Sequence, residues 1–319
     1  MSVIAEIDYV NSERIANSIC DYDFFVSTKG YEDRSYHLLS CLLPNKSIKN
    51  WIIIDFRKKL DVLSQHEISK YNSFDEIIRK HAEMSIAVIS LEDYLVGNQL
   101  RSIGINSSSK VAMEITSIDF WELSNLLFYL LKIVQVDSLD IYYTEPYVYN
   151  YSNNDILEYN TIDQQVSINY IPEYYSSFAD EKEMLVTILG FHKSIANQIK
   201  EYMEVAEYYS INGFPSYYPK AKDISRVNNY AYLSEIPMKN QYSSEATNPF
   251  LCYNTLIEIA MKSKGALTIC PLGSKPMSLG ACLYALDHEK SARIIYPFKN
   301  QIQTRNEGIG RIIKYRISK

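Results

Sequence analysis

The feature that most limits the fold is a series of short, uninterrupted apolar runs, each closed by a polar or glycine-bearing loop. In the first half they are Asp23-Phe24-Phe25-Val26-Ser27, Trp51-Ile52-Ile53-Ile54-Asp55, Ser85-Ile86-Ala87-Val88-Ile89, Val111–Ile115 and Leu139–Tyr143. A strand with one wet face alternates apolar and polar residues. A run without alternation is what a strand buried on both faces looks like. Helical spacing falls between the runs, at Arg34–Leu43, at Ser64–His81 and from Asp119 onward. Such alternation implies parallel pairing with right-handed crossovers. The expected class is α/β, with mainly parallel sheets of Rossmann-like type.

The rhythm breaks after Pro146. Residues 147–180 are rich in Tyr, Asn, Ser and Asp and poor in apolar clusters, with one short strand expected at Gln165–Tyr170. It resumes at Met184–Ile188, followed by a helix at Ser194–Met203 and a strand at Glu207–Ile211. A second irregular stretch, Gly213–Thr247, carries Pro215, Pro219 and Pro237. Beyond it come a helix at Pro249–Lys262, a strand at Ala266–Cys270, a helix at Met277–Asp287, a strand at Ala292–Tyr296 and a final edge strand at Ile309–Ile317. Three parts follow: a Rossmann-like half at 1–146, a polar, Tyr-rich connection at 147–180, and a second Rossmann-like half at 181–319. Phe25-Val26-Ser27-Thr28-Lys29-Gly30-Tyr31 aligns with Leu185-Val186-Thr187-Ile188-Leu189-Gly190-Phe191, about 160 positions later. Internal duplication is one explanation; the general likeness of all parallel α/β segments is the other.

A chain of 319 residues has room for two such domains. Its net charge of −6 argues against a general duplex-binding surface, which needs clustered Lys and Arg. The opening residues Met1–Asp8 lack the basic and apolar regions of a secretory signal, and the apolar helix Phe120–Val136 is too short and polar to span a bilayer. Five cysteines, Cys20, Cys41, Cys252, Cys270 and Cys282, form no Cys-x-x-Cys pair, which suits a reducing compartment. A cytoplasmic protein without membrane association is expected. The 28 tyrosines suit half-buried surfaces in general, or an aromatic surface for a protein partner or a second copy of the chain.

In open α/β sheets, ligands bind beyond the carboxyl ends of the strands. Five such loops can be read, one of them closing the last strand of the first half at Thr144-Glu145, and two draw attention. In Cys270-Pro271-Leu272-Gly273-Ser274-Lys275-Pro276-Met277, Gly273 allows a sharp exit from the strand, Ser274 and Lys275 offer donors, and Pro276 suits a first helical turn. Gly280, Ala281 and Ala285 let the following helix lie close to the sheet. The loop reads as an anion cup at a helix N-terminus, or as a tight turn with a capped helix. It has neither Walker A nor Gly-x-Gly-x-x-Gly spacing. In the other loop, Ser27, Thr28, Lys29 and Gly30 precede Arg34, a guanidinium suited to a phosphate or carboxylate, or to solvent pairing with Glu32 or Asp33. Asp55 and Arg57 end the second strand, where an acid can hold ribose hydroxyls. Glu114 interrupts an apolar strand, an expensive place for a carboxylate unless it is paired or functional, and Asp119 suits a helix cap. Glu114 and Asp119 are the candidate catalytic acids. No His or Cys spacing suggests a metal, and no cofactor is implied.

The segment Leu267–Ala285, with Gly273-Ser274-Lys275-Pro276-Met277, resembles the Gly-Thr/Ser-Lys-x-Met segment of CRISPR-associated Rossmann-fold (CARF) sensor domains. The resemblance covers about 30 residues, and Pro271-Leu272 departs from the polar or glycine residues common there. It implies a cytoplasmic sensor of a small anionic, nucleotide-like ligand within a prokaryotic antiviral system. Two other functions fit the residues: a nucleotide-processing hydrolase or transferase using Glu114 or Asp119, and a scaffold subunit of a larger complex.

Overall fold

The computed structural model describes residues 4–10, 21–30, 32–43, 48–55, 65–81, 83–90, 103–149, 166–178, 182–192, 194–216, 218–298 and 306–318. The chain divides into two compact units, Met1–Asn150 with Gln301–Lys319, and Tyr151–Asn300. Both are α/β, so the expected class holds.

The first unit contains a seven-stranded sheet. Its strands are β1 (Ile4–Val10), β2 (Tyr22–Thr28), β3 (Ile48–Asp55), β4 (Ser85–Ser90), β5 (Val111–Glu114), β6 (Ser138–Thr144) and β15 (Ile312–Ser318), in the order β1-β15-β6-β5-β2-β3-β4. A separate two-stranded ribbon joins β7 (Val148–Tyr149) to β14 (Asn306–Glu307). Strands β2 to β6 are parallel. Helices α1 (Asp33–Leu42) and α2 (Gln65–Lys80) follow β2 and β3, and α3 (Phe120–Phe128) follows β5, running on into a π-helical turn at Tyr129–Ile133. One face of the sheet packs Phe25, Trp51, Ile53, Ala112 and Tyr142 against Leu38, Leu39 and Leu42 of α1 and Phe74 of α2. Phe25 sits 4.8 Å from Trp51 and 5.9 Å from Tyr142 between ring centroids, contacts worth about 0.5–1.5 kcal/mol each beyond area burial.

Two strands behave differently from expectation. The run Ser85–Ile89 reads as a fully buried strand, yet β4 is the sheet edge and Val88 is 50% exposed. Apolar composition alone does not separate a covered strand from a half-covered edge. The C-terminal run reads as an edge strand of the second half. It lies instead inside the first unit's sheet, antiparallel to both β1 and β6, with Ile313 beside Tyr143 and Arg316 beside Asp140. Its anchor is the buried Asp140, which meets Lys314 Nζ at 2.8 Å and Arg316 Nε at 2.8 Å.

The second unit has six strands, β8 (Ser167–Tyr170), β9 (Glu183–Leu189), β10 (Glu207–Gly213), β11 (Gln241–Ser244), β12 (Ala266–Pro271) and β13 (Ala292–Phe298), ordered β11-β10-β9-β12-β13-β8. Its helices are α4 (Ile195–Tyr202), α5 (Ala221–Asn228), α6 (Tyr230–Ser234), α7 (Pro249–Ser263) and α8 (Lys275–Asp287). Two of these helices and β11 occupy the stretch read as irregular. Part of the expected polar connection, residues 150–165 and 179–180, lies outside the described residues. The described part includes β8, which pairs antiparallel with β13. The buried Arg293 guanidinium lies 4.5 Å from both the Tyr170 and Phe178 rings and bonds Glu183, tying residues 166–178 to this unit. Gly280 serves helix–helix rather than helix–sheet packing: a Cβ there would lie 2.3 Å from the Pro249 carbonyl oxygen at the start of α7.

The two units share one topology. In each, a first strand (β2 or β9) has its next two strands on one side and its fourth and fifth on the other. The order reverses between β2 and β5, and between β9 and β12, which is where such sheets open a crevice for ligands. An antiparallel strand covers the fifth strand in both, β15 in the first unit and β8 in the second.

Candidate functional site

On the α1–α2 face of the first unit, four neighbouring strands change character at their carboxyl ends. Because side chains alternate between faces, Ile53 is followed by Asp55 on β3, Phe25 by Ser27 on β2, Ala112 by Glu114 on β5 and Tyr142 by Thr144 on β6. Apolar packing thus gives way to a row of four buried polar side chains that straddles the point of reversal. Glu114 is at its centre. Ser27 Oγ donates to Glu114 Oε2 at 3.1 Å, and Thr116 Oγ1 donates to Oε1 at 2.8 Å. Thr116 Oγ1 also accepts from the Thr144 amide at 3.1 Å. Burial pushes the Glu114 carboxyl up to about 8, against the two hydroxyl bonds and the field of Arg34. Thr144 Oγ1 is buried without a hydrogen-bond partner among the described residues.

The cations of this loop are engaged by acids of the same unit. Lys29 is buried, with Nζ 2.7 Å from Asp75 and 3.9 Å from Asp55, and 4.0 Å from the centroid of the Tyr71 ring. Tyr71 in turn donates to Asp55. Arg34 Nε meets Glu32 Oε2 at 2.6 Å, and its Nη1 donates to the Thr144 carbonyl at 2.9 Å. Glu32 also takes the N-cap position of α1, with its amide donating to Ser35 Oγ at 3.2 Å. Gly30 is pressed against Ser35 and Ser117, whose hydroxyls bond each other at 2.5 Å; a Cβ on Gly30 would lie 2.8 Å from that of Ser117.

Of the residues singled out in sequence, Ser27, Lys29, Gly30, Arg34, Asp55 and Glu114 gather at this rim. Thr28 is buried on the opposite face of β2, one position out of phase with Ser27. Arg57 lies outside the described residues. Asp119 is the N-cap residue of α3. Sequence reasoning missed Thr116, Ser35, Ser117, Tyr71 and Asp75 as members of the cluster; Thr144 was legible there, as a polar residue closing an apolar strand on the same rim.

In the second unit, Gly273, Ser274 and Lys275 form the turn from β12 into α8. Ser274 is the N-cap, accepting from the Met277 amide at 3.3 Å and donating to the Ala246 carbonyl. Pro276 has no N–H, so this helix start has fewer donors to offer an anion than its loop composition suggests. A Cβ on Gly273 would meet Ile188 at 2.9 Å. The place equivalent to Ser27–Glu114 holds Thr187 and Cys270, neighbours across β9 and β12. Thr187 bonds Tyr232 Oη at 2.7 Å, and Cys270 is fully buried. Gly190 here lies so close to the Leu272 carbonyl that an added Cβ would stand 2.0 Å from its oxygen. This reversal point is filled by backbone, by Ile188 beside Gly273 and by the Thr187–Tyr232 pair, and the Ser225 and Asn229 side chains donate to the Gly190 carbonyl.

Among the described residues, no cluster of three or more His, Cys, Asp and Glu is arranged to hold a metal ion, and no helix is long and apolar enough to cross a membrane. Compared with known proteins, the chain matches no protein-family model and no curated protein sequence.

Proposed function

We propose that the first unit is a receptor for a small nucleotide-like ligand, bound at the carboxyl ends of β2 and β5, and that the chain acts as a sensor. One observation carries this reading: the reversal point of this sheet holds a buried, protonatable Glu114 and a buried Thr144 hydroxyl with no hydrogen-bond partner among the described residues, polar groups whose burial costs stability. The same place in the second unit holds Thr187 and Cys270 in place of a carboxyl. Groups that weaken a fold at a ligand-binding position are the mark of a functional site. The bonded Ser35–Ser117 pair lies against Gly30 beside this site. Thermal-shift and native mass spectrometry against a panel of nucleosides and nucleotides test the proposal. One ligand per chain is expected, with binding lost in Glu114→Leu. A panel without any binder removes the reading.

The protonation of Glu114 favours a second reading, as a nucleotide-processing enzyme. A carboxyl that keeps its proton up to about pH 8 is suited to general acid chemistry. Turnover of a bound panel member, abolished in Glu114→Gln with binding retained, would select this reading over a sensor.

A further inference from the structure

The proposed receptor site has an unusual charge inventory, and it restricts the ligand more closely. A phosphate at a strand-end loop is ordinarily held by helix N-terminal amides and by cations with charge to spare. The start of α1 is instead occupied by acids of the chain: Glu32 at the N-cap and Asp33 in the first turn. Among the described residues, each nearby cation faces a carboxylate of its own. Lys29 is held by Asp75 and Asp55, Arg34 by Glu32, Lys70 by Asp33 at 2.8 Å, and Arg311 by Glu145 at 2.7 Å. A phosphate here would compete with these carboxylates and be repelled by them. The remaining groups are neutral and both donate and accept: the hydroxyls of Ser27, Thr116 and Thr144 and the carboxyl of Glu114.

Resting on the receptor reading above, we infer that this site grips an uncharged part of its ligand, the sugar hydroxyls or base edge of a nucleoside, through Glu114 and Thr144. Any phosphate carried by the ligand lies away from the α1 N-terminus. Thr144 Oγ1 is the most direct contact, since it is buried and has no hydrogen-bond partner among the described residues. Glu114 sits beside it through Thr116, which bonds both the Glu114 carboxyl and the Thr144 amide.

The test is calorimetric titration of the full chain with four nucleosides and their 5′-monophosphates, at about 50 and about 300 mM NaCl. At least one nucleoside is expected to bind, with its monophosphate no more than about threefold tighter and little change with salt, because few counterions are released. Thr144→Val keeps the side-chain shape and should leave the melting temperature unchanged or higher while weakening the nucleoside about tenfold. A monophosphate at least tenfold tighter than its nucleoside, with strong salt dependence, would overturn the inference and leave the receptor reading standing. Unaltered nucleoside affinity in Thr144→Val, with the fold intact, would also overturn it. If no nucleoside or nucleotide binds, both readings fall.

Discussion

Ser27 and Glu114 form a buried hydroxyl–carboxyl pair, 3.1 Å apart, across two adjacent parallel strands where the sheet reverses its order. Thr187 and Cys270 take the matching places in the second unit, where Thr187 turns to Tyr232. Two sheets with one topology therefore differ at a place where ligands commonly bind. The difference can be measured through the protonation of Glu114.

The folded state holds the Glu114 proton up to about pH 8, whereas an exposed carboxyl gives it up near 4.5. Stability from this group is full below about 4.5 and is lost as pH rises toward 8, by at most about 1.4 kcal/mol per pH unit. Glu114→Gln cannot ionise. Its urea midpoint should match the parent protein near pH 5 and exceed it at pH 9. Parallel pH profiles for the two proteins would show that Glu114 does not titrate as its burial demands.

Lys29 should behave as a structural residue despite its place in a ligand-type loop. It is buried against Asp55, which is itself 1% exposed. Removing one partner of such a pair costs about 3–5 kcal/mol, because the other charge stays buried. Lys29→Ala should fall in that range by denaturant unfolding. A loss under about 1 kcal/mol would return Lys29 to the ligand-binding set.

The Gly273–Lys275 turn makes a contrasting prediction. Ser274 caps α8 and bonds Ala246, so Ser274→Ala should cost about 1–2 kcal/mol. Lys275→Ala should stay within about 0.5 kcal/mol, as a partly exposed position at a helix start does. Equal losses, read by chemical denaturation, would mean that the Lys275 side chain supports the fold as much as the cap.

At Gly190 the limit is space. An alanine Cβ would lie 2.0 Å from the Leu272 carbonyl oxygen, and backbone cannot move aside as a flexible side chain does. Gly190→Ala should destabilise the second unit by at least about 2 kcal/mol. A neutral substitution, by hydrogen exchange in β9 and β12, would show that the two loops do not hold each other.

Much of the fold was legible because parallel strands buried on both faces leave continuous apolar runs. Trp51–Asp55 lies within β3, which begins three residues earlier at Ile48, and Ala266–Cys270 became β12 with one residue added. Partnership was not legible. The run at 309–317 has the composition of a strand, but nothing in its pattern says that it pairs with Ser138–Thr144 rather than with Ala292–Phe298, since pairing is a long-range choice. The short helices between Ala221 and Ser234 were hidden by the flanking prolines and by their length. For the site, Glu114 stood out as a charge in an apolar run, whereas Thr116 and Ser117 looked like ordinary turn residues. Whether Lys29 and Arg34 face a ligand or the protein's own acids depends on Asp75 and Glu32, and only geometry decides that.

The place of β15 bears on the order in which the chain can mature on the ribosome. The first unit's sheet is interrupted between β1 and β6 until residues 312–318 have been made, after the whole of the second unit has emerged. Domains usually complete themselves from the N-terminus onward during synthesis. Here every strand of the downstream unit is synthesised before β15, so until then the sheet of the upstream unit lacks the strand that joins β1 to β6, and unpaired strand edges are what aggregation exploits.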